Sequence, residues 1–404
     1  MERLLSFCGL FILIGVAWLF STNRRKFDFR VVGGGLLLQF LCAVFILKTD
    51  LGQMLFAWAR DTVTIIISLS DAGAEFVFGA DFREHFFAFK VLPTIIFAST
   101  LSYILFYLGV MQKFIGFMAW VMKRVMNISG AESLVSAANI FLGQTEAPLF
   151  IKPYLKTMTR SEIMVMMTGG MATVAGGVLA AYVGYGVSAG HLLAASLMSA
   201  PAAILIAKVM VPETEESPTF GTIAVKVKAE EVNIFEAACK GAAEGLKLAL
   251  NVGAMLIAFI ALVSMINLVI AAIAAPFGAE LTLQIILGRI FQPLAFLLGI
   301  SWQESFIVGQ LLGTKIVINE FLAFIELANY IDGDLQGQLS ERAITLSTYA
   351  LCGFANFSSI AIQIGGIGSL EPSRKSDFAI NGLRAMIGGT IAAMMTACVA
   401  GILI

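Results

Sequence analysis

In FLGQTEAPLF (141–150), Gln144, Thr145 and Glu146 stand side by side within an apolar stretch. A second carboxylate, Glu320, follows Asn319 in GQLLGTKIVINEFLAF (309–324). Asn356, Ser358 and Ser359 interrupt the run YALCGFANFSSIAIQIGGIG (349–368). Carboxylates, amides and hydroxyls with no cluster of arginine or lysine suit a neutral, hydroxyl-rich solute better than a phosphate or a carboxylate. Phe321, Phe354 and Phe357 are available to cover a sugar or a flat ring, with simple helix packing as the plainer alternative. Asn139 and Thr173 form a second constellation. An amide, a hydroxyl and the carbonyls freed where TGGMATVAGG (168–177) unwinds would make a neutral oxygen cage, suited to a monovalent cation such as Na+. There is no HExxH or GxSxG pattern, and neither His85 nor His191 is a sequence neighbour of Glu146 or Glu320. Acid–base chemistry lacks its usual partner, so no enzyme is expected.

These side chains belong to a chain of 404 residues that is 59% hydrophobic and 13% charged, with a mean hydropathy of +0.90. Soluble domains carry about 25% charged residues. Runs at 4–22, 31–47, 91–112, 161–182, 190–211, 248–276 and 378–404 approach or exceed the ~20 residues that a helix needs to cross hydrocarbon. The reading is an all-α polytopic membrane protein. An ionised carboxylate at the bilayer centre costs ~2.5–3.5 kcal/mol. Glu146 and Glu320 are therefore expected to face a wet cavity, the alternative being a structural ion pair or a protonated carboxyl. A net charge of −1 gives no reason to expect nucleic acid. The five cysteines show no CxxC spacing and read as small core residues. The first apolar run lacks the end of a signal peptide, and Arg24, Arg25, Lys26 and Arg30 follow it rather than precede it. That charge places the N-terminus outside.

Residues 50–90 interleave charge with aromatics and read as an amphipathic helix in the interface. Segment 133–151 is short, polar at its middle and flanked by basic residues on both sides. A segment that enters and returns on the same side resolves that conflict, provided that protein or a wet cavity satisfies its backbone. Residues 161–186 read as a broken span and 190–211 as a whole one. A polar linker follows at 212–236, with Lys226, Lys228 and Glu230 among its charges. Segments 300–328 and 349–368 then repeat the plan of a short interrupted segment and a broken span, now flanked by acidic rather than basic loops. This is the trace of an inverted repeat, with the binding site where the broken elements meet. Its pairing rests on topology more than on residue identity, and a Gly-Gln shared at 143–144 and 309–310 is compatible with chance. The resulting units are 1–90, two spans plus an interfacial helix; 91–211, the first half; 212–236, a cytoplasmic linker; 237–370, the second half; and 371–404, the last span.

Taken together and in this order, GQTEAPL (143–149), INEF (318–321) and CGFANFSS (352–359) resemble the concentrative nucleoside transporters, over essentially the whole length. The resemblance implies a homotrimer surrounded by lipid in a bacterial inner membrane. Each protomer would have eight transmembrane helices, two re-entrant helical hairpins and an interfacial helix. A transport domain would move against a trimer-holding scaffold, as in an elevator-type transporter. By motif position Gly143, Gln144, Thr145 and Glu146 would hold the nucleobase, with Val178 packed on it. Glu320, Asn356 and Ser359 would hold the ribose hydroxyls, and Phe354 would line the pocket. Na+ ligands would fall on Asn139, Leu142, Thr173 and Val174, the latter two contributing carbonyls. Thr173 stands where relatives often have serine, and the hydroxyl is kept. Proton-coupled relatives tend to lose the asparagine at the Asn139 position, so the resemblance favours Na+ as coupling ion, with H+ symport as the alternative. The Gly143-Gln144 pair looks like that of broadly selective members, which implies both pyrimidine and purine nucleosides, uridine foremost.

Overall fold

A computed structural model describes residues 1–220, 231–278 and 280–404, without the side chains of 83–86 and 277. Among these residues the chain is helical and has no strand. It opens with α1 (Glu2–Leu19), α2 (Phe29–Lys48), α3 (Asp50–Phe78), α4 (Leu92–Tyr107) and α5 (Val110–Met126). Next come α6 (Gly130–Ala138), a 3-10 helix (Ala147–Tyr154), α7 (Arg160–Ala172), α8 (Gly176–Gly184) and α9 (Ala189–Met210). The 41-residue α10 (Ile234–Ala274) leads to α11 (Leu283–Leu297), α12 (Trp302–Val317) and α13 (Glu320–Asp332). The chain closes with α14 (Glu341–Leu351), α15 (Phe357–Leu370) and α16 (Lys375–Leu403). Seven of these helical stretches, among the described residues, are long and apolar enough to cross a membrane. They correspond to the seven apolar runs of the sequence, and the two-piece α14–α15 is the eighth expected crossing.

A single plan occurs twice. A peripheral helix, a hairpin, a two-piece span and an unbroken helix follow one another as α5 to α9, and again as α11, α12–α13, α14–α15 and α16. Both hairpins start on the same signature, S-x-x-E-S at 129–133 and 301–305. Ser129 and Ser301 accept from the backbone N–H of Glu132 and Glu304, each at 3.3 Å. Ser133 and Ser305 then donate to the carbonyls of Gly130 and Trp302. Such caps satisfy donors that a helix start leaves open. The Gly-Gln pair is not part of the repeat. Gly143 lies in the turn of hairpin one, whereas Gly309 is inside α12, packed against the α11 backbone at Gly288 and Gln292. The peripheral helices α5 and α11 were not foreseen. Charged and polar residues keep 110–126 below the appearance of a span, and α11 meets α12 at a bend of 117°.

The two-piece α7–α8 span is 89% buried over its best apolar window, against 11% for α10. Polar hairpins and broken spans thus sit inside, where protein satisfies their backbone. Helices α1, α3 and α10 present Phe11, Trp58, Ile65, Leu250, Ile257 and Leu268 outward. At ~1.5 Å per residue α10 is about 60 Å long, twice the hydrocarbon thickness. Its first turns carry the exposed Lys247–Glu244 ion pair, at 2.7 Å. It packs on α4 through Gly241 and Gly245, where a Cβ would come within 2.8 Å of Thr100 Cα and Ile96 Cα. Small residues four apart allow that approach.

The linker is more than a polar loop. Lys226, Lys228 and Glu230 lie outside the described residues, but 213–219 fold back on the bases of hairpin one and α7. Ser217 Oγ donates to Glu162 Oε1 at 2.5 Å, Thr159 Oγ1 to Glu213 Oε2 at 2.8 Å, and Gly130 N to Thr219 O at 3.0 Å. Lys208, at the end of α9, pairs with Glu132 at 2.5 Å and Glu213 at 3.3 Å.

Candidate functional site

Hairpin one turns at 139–146, between α6 and the 3-10 helix. Pro148 lacks an N–H, which is harmless in a first turn. Gln144 Nε2 donates to Ser359 Oγ at 3.0 Å. Thr145 packs on α15 at Gly366, where an added Cβ would lie 2.5 Å from its methyl. Glu146 Oε2 accepts from Gly143 N at 3.1 Å and closes the turn. The same carboxylate borders a cavity of about 250 Å³ that also meets Ser99, Ser102 and Tyr103 of α4, with Lys152, Glu231 and Lys240 farther along it.

Hairpin two turns at Ile318–Asn319. Asn319 caps α13 by accepting from Leu322 N at 2.8 Å, which places Glu320 as the first helical residue. Asn356 caps α15 in the same manner, accepting from Ser359 N at 2.9 Å and from Ser358 Oγ at 2.7 Å. Its amide is then free to donate to Glu320 Oε2 at 2.7 Å. Tyr182 of α8 donates to Glu320 Oε1 at 3.2 Å. The Tyr182 ring stacks on Phe324, with centroids 4.2 Å apart.

One polar network therefore runs from Tyr182 through Glu320, Asn356 and Ser359 to Gln144. It joins α8, both hairpins and α15. Glu320 and Gln144 are 6% and 7% exposed, so neither faces lipid. Glu146 and Thr145 flank this network, without hydrogen bonding into it among the described residues. Phe354 is half-buried in the break at 352–356, and Val178 is buried in the first turn of α8. Phe357 is 52% exposed, whereas Phe321 is packed among Tyr182, Tyr185 and Phe87 and offers no open ring.

The two broken spans meet at their breaks. Gly353 has φ +121°, a region that side chains avoid, and a Cβ on it would lie 2.8 Å from Ala172 C and O and Met171 O. The second constellation lies beside this crossing. Asn139 is 1% exposed, and neither amide atom of its side chain has a partner among the described residues. The Ser136 hydroxyl nearby is likewise unpartnered. A Cβ at Gly169 would lie 3.0 Å from Asn139 Nδ2 and 3.9 Å from Ser136 Oγ, so α7 presents bare backbone here. Among the described residues, the carbonyls of Leu142, Thr173 and Val174 take no part in the backbone hydrogen bonds of turns, loops and caps. Thr173 Oγ1 is turned to Gly169 O, at 2.9 Å. Buried oxygens left without donors are costly unless something supplies positive charge.

Two residues were overlooked in the sequence. Tyr182 lies four positions after Val178. Gln363 lies four after Ser359, donates to Met167 O at 3.0 Å and has an unpartnered Oε1. That i, i+4 spacing on one helix face was available from the sequence. Lys315, one of the polar residues that interrupt the apolar segment 300–328, lies within α12 and is fully buried.

The chain matches "Na+ dependent nucleoside transporter N-terminus" over residues 8–81, "Nucleoside recognition" over 88–189 and "Na+ dependent nucleoside transporter C-terminus" over 191–401. It is 44% identical over 414 residues to solute carrier family 28 member 3 of Rattus norvegicus, covering 100% of this chain and 59% of that protein. The chain thus spans about three fifths of that mammalian relative. It is 45% identical to an uncharacterized transporter of Haemophilus influenzae, covering 100% of this chain and 98% of that protein. Among solved structures it is similar to CNTnw in an inward-facing substrate-bound state, with a TM-score of 0.93 and 41% identity over 100% of this chain and 98% of that one. A doubly substituted CNTnw in an outward-facing state gives a TM-score of 0.95 and 40% identity over 100% and 99% of the two chains. With every segment from the first span to the last matched, the chain belongs to the Na+ dependent nucleoside transporter family.

Proposed function

We propose that this chain is a secondary active symporter that imports nucleosides, uridine and other pyrimidine and purine nucleosides, coupled to Na+. The observation that carries this reading is the buried network from Glu320 through Asn356 and Ser359 to Gln144. Glu320, Asn356 and Ser359 hold the ribose hydroxyls, Gln144, Thr145 and Glu146 the base beside Val178, and Phe354 lines the pocket. Na+ is held by Asn139, Leu142, Thr173 and Val174. Support for that site comes from its chemistry: a buried amide without a partner next to open carbonyls, and no carboxylate in the set. The ion ties hairpin one to the α7–α8 break, and the nucleoside bridges the two hairpins. Coupling follows only if Na+ favours the nucleoside-competent state.

The buried unit of hairpins and broken spans crosses as one body against a scaffold of α1 to α4 and α10, an elevator movement within a homotrimer. The N-terminus lies outside and the protein resides in a bacterial inner membrane. One charge crossing ~100 mV yields about 2.3 kcal/mol, which supports about fifty-fold accumulation. Uptake of labelled uridine into proteoliposomes tests the reading. Uptake is expected to need an inward Na+ gradient and to deliver unmodified uridine. Full uptake without Na+ at any pH removes the Na+ coupling and leaves H+ symport. Absence of uridine transport removes the function.

A further inference from the structure

Lys315 lies in the last turn of α12, the first arm of hairpin two, and is fully buried. Among the described residues its ammonium donates to one acceptor, the Ala350 carbonyl, at 2.9 Å. Ala350 is in the last turn of α14, where the first piece of the second broken span ends. Carbonyls at such an end have no intrahelical donor and carry the negative end of the helix dipole. Glu320 is close enough to interact electrostatically with Lys315, yet no direct ion pair joins them among the described residues.

The first half has the same arrangement without the lysine. Asn139 ends the first arm of hairpin one and faces the end of α7, the first piece of the first broken span. There, among the described residues, the Asn139 and Ser136 side-chain oxygens have no partner, and the carbonyls of Leu142, Thr173 and Val174 take no loop or cap hydrogen bond. Superposing the two S-x-x-E-S signatures puts Gly143 in the place of Lys315. One half offers oxygens to a cation, and the other carries a cation of its own on the corresponding carbonyl end.

We propose that Lys315 is a tethered cation, occupying in the second half of the repeat the station that a mobile monovalent cation takes in the first. It is a positioning residue. It neutralises the end of α14 and thereby holds the break from which Asn356 reaches Glu320. The transporter then recruits one mobile ion where its repeat provides two stations. This rests on the Na+ site proposed above.

The test is uridine binding to purified protein, titrated against NaCl with choline chloride holding ionic strength constant. Lys315→Met removes the charge and Lys315→Arg keeps it. In Lys315→Met, uridine affinity at low Na+ is expected to fall about 10- to 100-fold. The slope of log affinity against log Na+ is expected to rise by about one ion, with part of the affinity regained at high Na+. Lys315→Arg should keep the parental slope. A structural loss alone would lower affinity without steepening the slope. If Lys315→Met does not fold, Lys315→Gln, which can still donate to Ala350 O but is uncharged, reads the same slope. An unchanged slope in a folded neutral variant, with the parent responsive to Na+, overturns the assignment of Lys315 alone. A parent whose uridine binding ignores Na+ overturns the Na+ site and Lys315 together.

Discussion

Asn356 does two jobs whose contributions can be separated. Its Oδ1 caps α15 by accepting from Ser359 N at 2.9 Å, and its Nδ2 donates to Glu320 Oε2 at 2.7 Å. A cap is worth ~0.5–2 kcal/mol, and a hydrogen bond to a charged group ~1.5–3 kcal/mol. Asn356→Ala loses both, about 2–5 kcal/mol in all. Asn356→Asp keeps the acceptor for Ser359 N but sets a second carboxylate against Glu320, losing ~1.5–3 kcal/mol before repulsion is counted. If Glu320 grips the ribose, Asn356→Asp should weaken uridine binding about 10- to 150-fold. Calorimetric titration with uridine and 3′-deoxyuridine at saturating Na+ reads this directly. The deoxy analogue should lose less, so the two affinities should converge. Binding of uridine to Asn356→Asp within about threefold of the parent, or equal losses for both ligands, would refute the assigned ribose contact.

Gly170→Ala should raise the uridine KM about tenfold in proteoliposome uptake. Its Cβ would come within 2.9 Å of Gln144 Cβ and of Gln363 Nε2, an overpacking worth ~1–3 kcal/mol, partly offset by alanine's helix propensity of up to ~1 kcal/mol. Tyr182→Phe keeps the stack on Phe324 but removes the donor to Glu320. Uridine affinity should fall about three- to tenfold, with the Na+ dependence of binding unchanged. Asn139→Ala should shift Na+ activation of uptake to higher concentration by about tenfold or more and leave uridine affinity at saturating Na+ near the parental value. An unaltered Na+ activation curve would place the ion elsewhere.

The spans were legible because seven apolar runs approach or exceed the length that hydrocarbon demands, and hairpin one because basic residues flank it on both sides. Polar residues at 144–146, 320 and 356–359 stood out because the cost of burying them leaves few innocent explanations. The repeat was read from topology, but its better mark was overlooked. S-x-x-E-S at 129–133 and 301–305 encodes two hairpin starts, while the noticed Gly-Gln pair is a coincidence of composition. Tyr182 escaped attention, and Lys315 carries no role in the sequence reading, for a physical reason. A tyrosine in an apolar helix reads as packing until the carboxylate across from it is known, and a lysine near a helix end reads as snorkelling. The role of Glu213, Ser217 and Thr219 in clasping α6 and α7 depends on a chain reversal that no local pattern announces.

Gly353 against the Met171–Ala172 backbone has a mechanical meaning. It acts as a scarf joint, in which two interrupted beams are notched into one another at their weakest points and each splints the other. The unwound residues on either side can then stay polar and ungainly without going slack. A methyl group wedged into that notch would loosen the nucleoside and cation stations together, although position 353 touches neither ligand in the proposed arrangement.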